Sequence, residues 1–124
     1  MAHKSRLAGF IIDCKDTAPQ TSARFWGAAL GMSEIEQDGV LYVQLDATAR
    51  DLHIEVQRVE HESRVHLDIE STDVEAEASR LETLGAKRIG KVHTWWVMES
   101  PTGQRFCIVR WKSPPDAPGA NEWP

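Results

Sequence analysis

The chain says the same thing twice, and that repetition limits its fold more than any other feature. "LAGFIIDC" (7–14) reads as a buried strand. "DTAPQTSARFWGAALG" follows as a helix, with Thr17 the expected N-cap, Pro19 in the first turn, Gln20 completing a capping box and Gly31 as the stop. Phe25, Trp26, Ala29 and Leu30 make its expected apolar face. "MSEIEQ", "VLYVQLD" and "DLHIEVQRV" then read as strands, the first two joined at Asp38-Gly39, a strong hairpin signal. The second pass opens with the strand "SRVHLDIE". Its helix, "TDVEAEASRLETLG", has Thr72 and Glu75 as capping box, Val74, Ala78, Leu81 and Leu84 as apolar face, and Gly85 as stop. "AKRIGKV", "TWWVMES" and "RFCIVRW" complete it, the last two joined through Pro101-Thr102-Gly103. Gly31 and Gly85 stand a little under half the chain length apart. The order βαβββ, given twice, predicts an α+β fold made by internal duplication.

A single domain over 1–113 is expected, with one unit at about 7–59 and the other at about 63–111, then a Pro-rich tail over 114–124. "KSPPDAPGANEWP" holds four prolines in thirteen residues and no periodicity, which predicts a loosely held tail, or one anchored by Trp111 or Trp123. Net charge of −5 and a pI near 5.5 speak against a nucleic-acid partner, and Lys87, Arg88 and Lys91 form only a small basic cluster. No apolar run approaches the ~20 residues that span a bilayer, and "MAHKSRLAGF" lacks a signal-peptide core, so no membrane partner is expected. Cys14 and Cys107 sit in apolar runs and read as reduced, buried thiols of a cytoplasmic protein. There is no CxxC, no GxSxG elbow and no glycine-rich phosphate loop.

"RVHLDIES" shows what each strand offers. Val65, Leu67 and Ile69 alternate with His66, Asp68 and Glu70, so one face is apolar and the other ionisable. Extended to the other strands, Phe10, Ile12, Ile54, Val56, Val65, Leu67, Ile69, Phe106 and Ile108 are expected under the helices. Gly9, Ile11, Asp13, His53, Glu55, Gln57, His66, Asp68, Arg105, Cys107 and Val109 then line the opposite face. Such a mixed polar lining suits a small-molecule cleft better than a solvent face.

With "IIDCKD" and "ARFWGAALG" in the first unit, "VHLDIESTDVEAEASRLETLGAKRI" in the second and "WWVMESPTGQRFCIV" as the closing hairpin, the chain resembles the vicinal oxygen chelate superfamily over roughly residues 7 to 111. Within it, the chain is most similar to the glyoxalase-like and bleomycin-resistance-like subgroup. The resemblance implies a curved mixed sheet around a cleft, a small organic ligand and a homodimer. It also implies, in metal-dependent lyases, isomerases and dioxygenases of the superfamily, one ligand from the first and last strand of each unit. Those positions carry His66, Glu55, Cys107 where glutamate is usual, and Gly9 (or Ile11, if the register shifts) where histidine or glutamine is usual. Two good nitrogen or oxygen ligands hold a divalent ion weakly, so no tightly bound metal and no other cofactor is favoured.

Each candidate has a plainer alternative. His66 is a ligand contact, or a histidine bonded to Glu55 or Asp68. Glu55 is a candidate general base, or an ion-pair partner of Arg64 or Arg105. His53 and Asp68 share that face as further ligand contacts. Cys107 reads as a small packed hydrophobe before it reads as a third metal ligand. Trp95 and Trp96 point to opposite faces; one is expected to give the ligand a flat apolar wall, and the register decides which. Metal-independent small-molecule binding is the favoured function. A divalent-metal lyase, isomerase or dioxygenase is the alternative, and an accessory subunit without ligand the blandest.

Overall fold

The computed structural model describes residues 2–124, with backbone alone over 36–38. Two compact units divide it: Gly9–His66, here the N-terminal module, and the residues up to Ala8 with Leu67–Pro124, the C-terminal module. Strands β1 (His3–Lys15) and β5 (Arg64–Ser71) each contribute to both.

In the N-terminal module, helix α1 (Pro19–Leu30) is followed by β2 (Glu34–Asp38), β3 (Tyr42–Leu45) and β4 (His53–Val59). The strands run β2-β3-β4-β1, with β1 parallel to β4 and the other pairs antiparallel. The expected alternation holds: Ile54 and Val56 join Ala23, Val43, Leu45 and Ala47 in a core on which Phe10, Ile12 and Trp26 pack. The start of α1 departs from expectation. Ala18, not Thr17, is the N-cap, and the Thr17 hydroxyl donates to the Lys15 carbonyl at 2.9 Å. Pro19 forces the residue before it to stay extended, so the helix begins only at the proline. Its buried side is also shifted, to Pro19, Ser22, Ala23 and Gly27 with Trp26, while Phe25 and Leu30 are exposed. Small residues win this face because the chain passes close by: a Cβ on Gly27 would lie 2.7 Å from the Met32 carbonyl oxygen.

In the C-terminal module, α2 (Val74–Thr83) precedes β6 (Lys87–Val92), β7 (Trp95–Glu99) and β8 (Arg105–Arg110). The strands run β5-β8-β7-β6, with β5 parallel to β8. Ala78, Met98 and Ile108 form the core, joined by Val74, Leu81, Trp96 and Phe106. The cap is Asp73, whose side chain accepts from the Ala76 amide at 3.0 Å. Thr72 instead accepts from the Lys4 amide, and Glu75 binds Arg88 and Trp96, so the expected capping box is not formed. Because α2 lies over β6, β7 and β8, the apolar side of β5 is not covered as expected: Val65 is 60% and Leu67 44% exposed.

The C-terminal tail is a correction. Residues Asn121–Trp123 form a strand, β9, antiparallel to His3–Ser5, and β1 therefore starts four residues before the apolar run. Two buried carboxylates hold this region. Glu77 accepts from His3 Nε2 at 2.8 Å and from Arg80 Nε and Nη2 at 2.8 and 2.9 Å, and the Arg80 guanidinium stacks on Trp123 at 3.8 Å. Glu70 accepts from Arg6 Nε, Ser113 Oγ and the Lys112 amide, while Arg6 also donates to the Pro118 carbonyl. Polar residues fill the first turns of β1 because each finds an opposite charge or a hydrogen bond in the tail or on α2. Among the described residues, no helix is long and apolar enough to cross a membrane.

Candidate functional site

On the sheet face of the N-terminal module turned away from α1, register brings Gly9, Ile11 and Asp13 beside His53, Glu55 and Gln57. Gln44 of β3 lies across from Glu55, and Tyr42 across from Gln57. These side chains form bonded pairs. His53 Nε2 lies 2.6 Å from Glu55 Oε1, and its Nδ1 is 3.2 Å from Gln44 Nε2. A ring that donates through Nε2 to the carboxylate accepts from the Gln44 amide through Nδ1, which accounts for both nitrogens with one neutral tautomer. Gln57 donates to the Tyr42 hydroxyl at 2.9 Å. His66 Nδ1 lies 2.8 Å from Asp13 Oδ2. Asp13 is buried, Glu55 and His66 nearly so, and His53 half-exposed.

Several expected pairings change. Glu55 takes its bond from His53, and not from Arg64 or Arg105. Arg64 stands 3.7 Å from Asp13 Oδ2, and Arg105 bonds Glu99. Residues two apart on a strand share a face, so His53 and Glu55 meet on β4 itself. Asp13 is the residue that alternation placed on this face without a role. Its signal was an acid inside the apolar run "FIIDC", since a buried carboxylate needs a partner. Oδ2 has one; Oδ1 is buried with no hydrogen-bond partner among the described residues.

In the C-terminal module, Asp68 pairs in register with Cys107, and Cys107 with Val97. Trp95 shares the Val97 side of β7 and packs against the His93 ring at 5.5 Å. Trp96 is on the other side, in the core beneath α2; its Nε1 donates to Glu75 Oε1 at 2.6 Å, and Arg88 lies over its ring at 4.8 Å. Arg88 and Trp96 together hold the Glu75 carboxyl at about 2, well below its ordinary range. Register thus puts Trp95 on the side away from the helix. Neither cysteine is in a disulfide; Cys14 is half-buried and Cys107 buried.

The sequence matches the glyoxalase-like domain family over residues 9–109. The chain belongs to that family. It is thereby a member of the vicinal oxygen chelate superfamily. No curated protein is similar enough to count as a match. Among solved structures, an NAD-dependent benzaldehyde dehydrogenase from Legionella pneumophila matches with a TM-score of 0.64 at 13% identity, over 83% of this chain and 99% of that one. A hypothetical protein from Bacillus halodurans gives 0.65 at 14%, over 91% and 99%. An extradiol ring-cleaving dioxygenase from B. fuscum gives 0.59 at 15%, over 87% of this chain but 33% of its own length. At these identities the likeness is one of fold: an α+β arrangement of repeated βαβββ units.

In this glyoxalase-like domain the ligand positions of metal-dependent members are only partly served. A Cβ on Gly9 would lie 1.7 Å from the His53 carbonyl oxygen, so position 9 has no room for any side chain, let alone a histidine. Ile11, the alternative, is the residue beside Glu55, and it carries no donor. Glu55 Oε1 is already bonded to His53. In the C-terminal module, Asp68 and Cys107 lie opposite each other in register and offer one oxygen and one sulfur. Two donors fall short of the three protein ligands of a catalytic zinc site.

A concavity of about 600 Å³ in the C-terminal module contains none of the expected ligand or metal contacts; Thr72, Asp73, Glu75, Lys91, His93 and Trp111 are among its lining. Its two acids are committed, Asp73 to the Ala76 amide and Glu75 to Arg88 and Trp96.

Proposed function

We propose that this glyoxalase-like domain binds a small organic molecule against the polar sheet face of residues 9–66, without a tightly held metal. The observation that supports it is the pairing of Asp13 with His66 and of Glu55 with His53 on a face that the helix leaves uncovered. Ionisable groups kept nearly out of water cost stability unless they are used, and two oriented imidazoles with their carboxylates give a ligand fixed donors and acceptors. Ligand contacts are assigned to His66, Glu55 and His53 on this face; within the C-terminal module, Asp68, Cys107 and Trp95 are assigned to the face turned away from α2.

Thermal melting against a set of small planar aromatic and carbonyl compounds tests this reading. Binding of one of them raises the melting temperature by mass action, and His66→Ala and Glu55→Gln abolish the rise. If no compound shifts the melt, the chain is an accessory subunit and the reading falls. A second reading, a metal-dependent lyase, isomerase or dioxygenase, draws on the family match and on His66 and Glu55 of this face as the metal donors. Elemental analysis of protein purified without chelator separates the two: close to one zinc, nickel, iron or manganese per chain, lost in His66→Ala, replaces the first reading by the second. The assembly proposed is a homodimer in the cytoplasm, supported by the exposed Val65 and Leu67 and by two cysteines outside any disulfide. Light scattering at the monomer mass of 13.9 kDa would refute the dimer.

A further inference from the structure

We propose that the concavity of the C-terminal module is a ligand site in its own right, one that takes a small aromatic carboxylate between Lys91, Arg110 and the ring of Trp111. It shares no residue with the face proposed above, and its occupancy does not depend on that reading.

Strand alternation builds the site. Trp96 and Ile108 lie opposite each other on the helix side of β7 and β8, so Arg110, two residues beyond Ile108, is on that side too. Its register partner is Ser71, two residues before the Asp73 cap, which places Arg110 at the start of α2. Lys91 pairs with Trp96 and shares its side of the sheet. The charges of these two cations are not matched within the lining. Glu75 belongs to Arg88 at 2.7 Å and to Trp96 at 2.6 Å, with Lys91 the most distant partner at 3.4 Å. Arg88, outside the lining, already balances that carboxylate. Asp73 accepts from the Ala76 amide and faces the positive end of the α2 dipole. Arg110 is exposed, and its guanidinium has no hydrogen-bond or ion-pair partner among the described residues. An ammonium and a guanidinium on one concavity favour an anion, and the planar guanidinium fits a carboxylate through two parallel bonds. Trp111 supplies the apolar surface. Its Nε1 donates to the Pro114 carbonyl at 3.3 Å and Arg6 lies over its ring at 5.6 Å, so the ring is held in place as a flat wall. Volume decides between a bare ion and an organic one. About 600 Å³ far exceeds the roughly 30 Å³ that a water-sized ion fills, and it lies within the range of about 300–1,000 Å³ usual for small-molecule pockets.

Titration of 2-naphthoate into the ¹⁵N-labelled full chain, followed through amide and indole signals, tests the site. The expected result is movement of the signals of residues 72–75 and 91–94 and of the Trp111 indole. The uncharged analogue 2-naphthamide, and inorganic phosphate, which has the charge without the ring, are each expected to bind about fivefold or more weakly than naphthoate. Arg110→Ala and Lys91→Ala alter exposed side chains and should keep the native near-ultraviolet circular dichroism while weakening naphthoate by about fivefold each. Arg58→Ala, at an exposed arginine of the other module, should leave that affinity unchanged. No movement at millimolar naphthoate, movement confined to residues 9–66, amide or phosphate binding as well as naphthoate, or wild-type affinity in both the Arg110 and Lys91 variants overturns the proposal.

Discussion

Replacing Glu77 by Gln removes the carboxylate that ties α2 to the start of β1. Glu77 is fully buried, and its two oxygens take bonds from His3 Nε2 and from both Nε and Nη2 of Arg80. Burial alone would raise its pKa, but Arg80, His3 and Ser5 overcome this and hold it down from 4.5 to about 2. At 1.36 kcal/mol for each tenfold in proton affinity, that difference is worth roughly 3 kcal/mol at pH 7. Loss of one member of a buried ionic pair costs about 3–5 kcal/mol. The lower end applies here because Arg80 keeps partial contact with water and its stacking on Trp123. A glutamine can still accept from Arg80, yet it cannot match both forks. Urea unfolding of Glu77→Gln at pH 7 should therefore show a loss of about 3 kcal/mol, or roughly 10 °C in melting temperature for a domain of this size. The sign with pH follows from the lowered value. The contribution is complete above the unfolded pKa near 4.5 and is lost as pH falls through about 2. The gap between wild type and variant must then shrink between about pH 5 and pH 2. A variant within 0.5 kcal/mol of wild type, or a gap that does not change over that range, would refute the reasoning.

The two tryptophans of β7 should separate. Trp96→Ala is expected to cost on the order of 3 kcal/mol in stability through lost packing beneath α2, with ligand affinity kept, whereas Trp95→Ala lowers affinity several-fold with the smaller stability loss. If affinity survives both changes, the aromatic wall is misassigned. Gly9→Ala should destabilise by about 3 kcal/mol or more in urea unfolding, since its Cβ would have to displace the His53 carbonyl and part β1 from β4. A Gly9→Ala protein as stable as wild type would show that the two strands separate freely there and would reopen position 9 to a metal ligand.

The duplicated order was legible because its signals are local. A glycine that ends a helix, as Gly31 does at φ 68°, and a hairpin between two alternating runs are set by a few residues each. The failures are where distance in sequence matters. Asp73 outcompetes Thr72 as cap because Thr72 is drawn to the Lys4 amide, a partner 68 residues away. Ser22, Ala23 and Gly27 displace Phe25 and Leu30 from the buried side of α1 because the approach of the Met32 carbonyl favours small residues over apolar ones. The tail forms β9 in spite of its prolines because all of them lie outside Asn121–Trp123. Its pairing strand is the polar opening of β1, which no apolar periodicity marks.

The candidate site shows the same division between what alternation reveals and what only topology can. Alternation put Asp13, His53, Glu55 and His66 on one side of their strands, and the structure keeps them there. It could not say which acid meets which base. The most buried acids in the chain answer in a consistent way: Asp13 at 2%, Glu70 at 3% and Glu77 at 0% exposure each hold a histidine or arginine 53, 64 and 74 residues distant. A carboxylate within an apolar run is therefore the legible half of a long-range pair, because its burial without a partner would cost more than a small domain can bear. The partner is illegible, since it depends on which strand lies alongside. For Glu70 and Glu77 the pair closes the tail onto the fold. For Asp13 the partner is a ring on the proposed binding face, so the same physical device that holds the ends together elsewhere orients a histidine there.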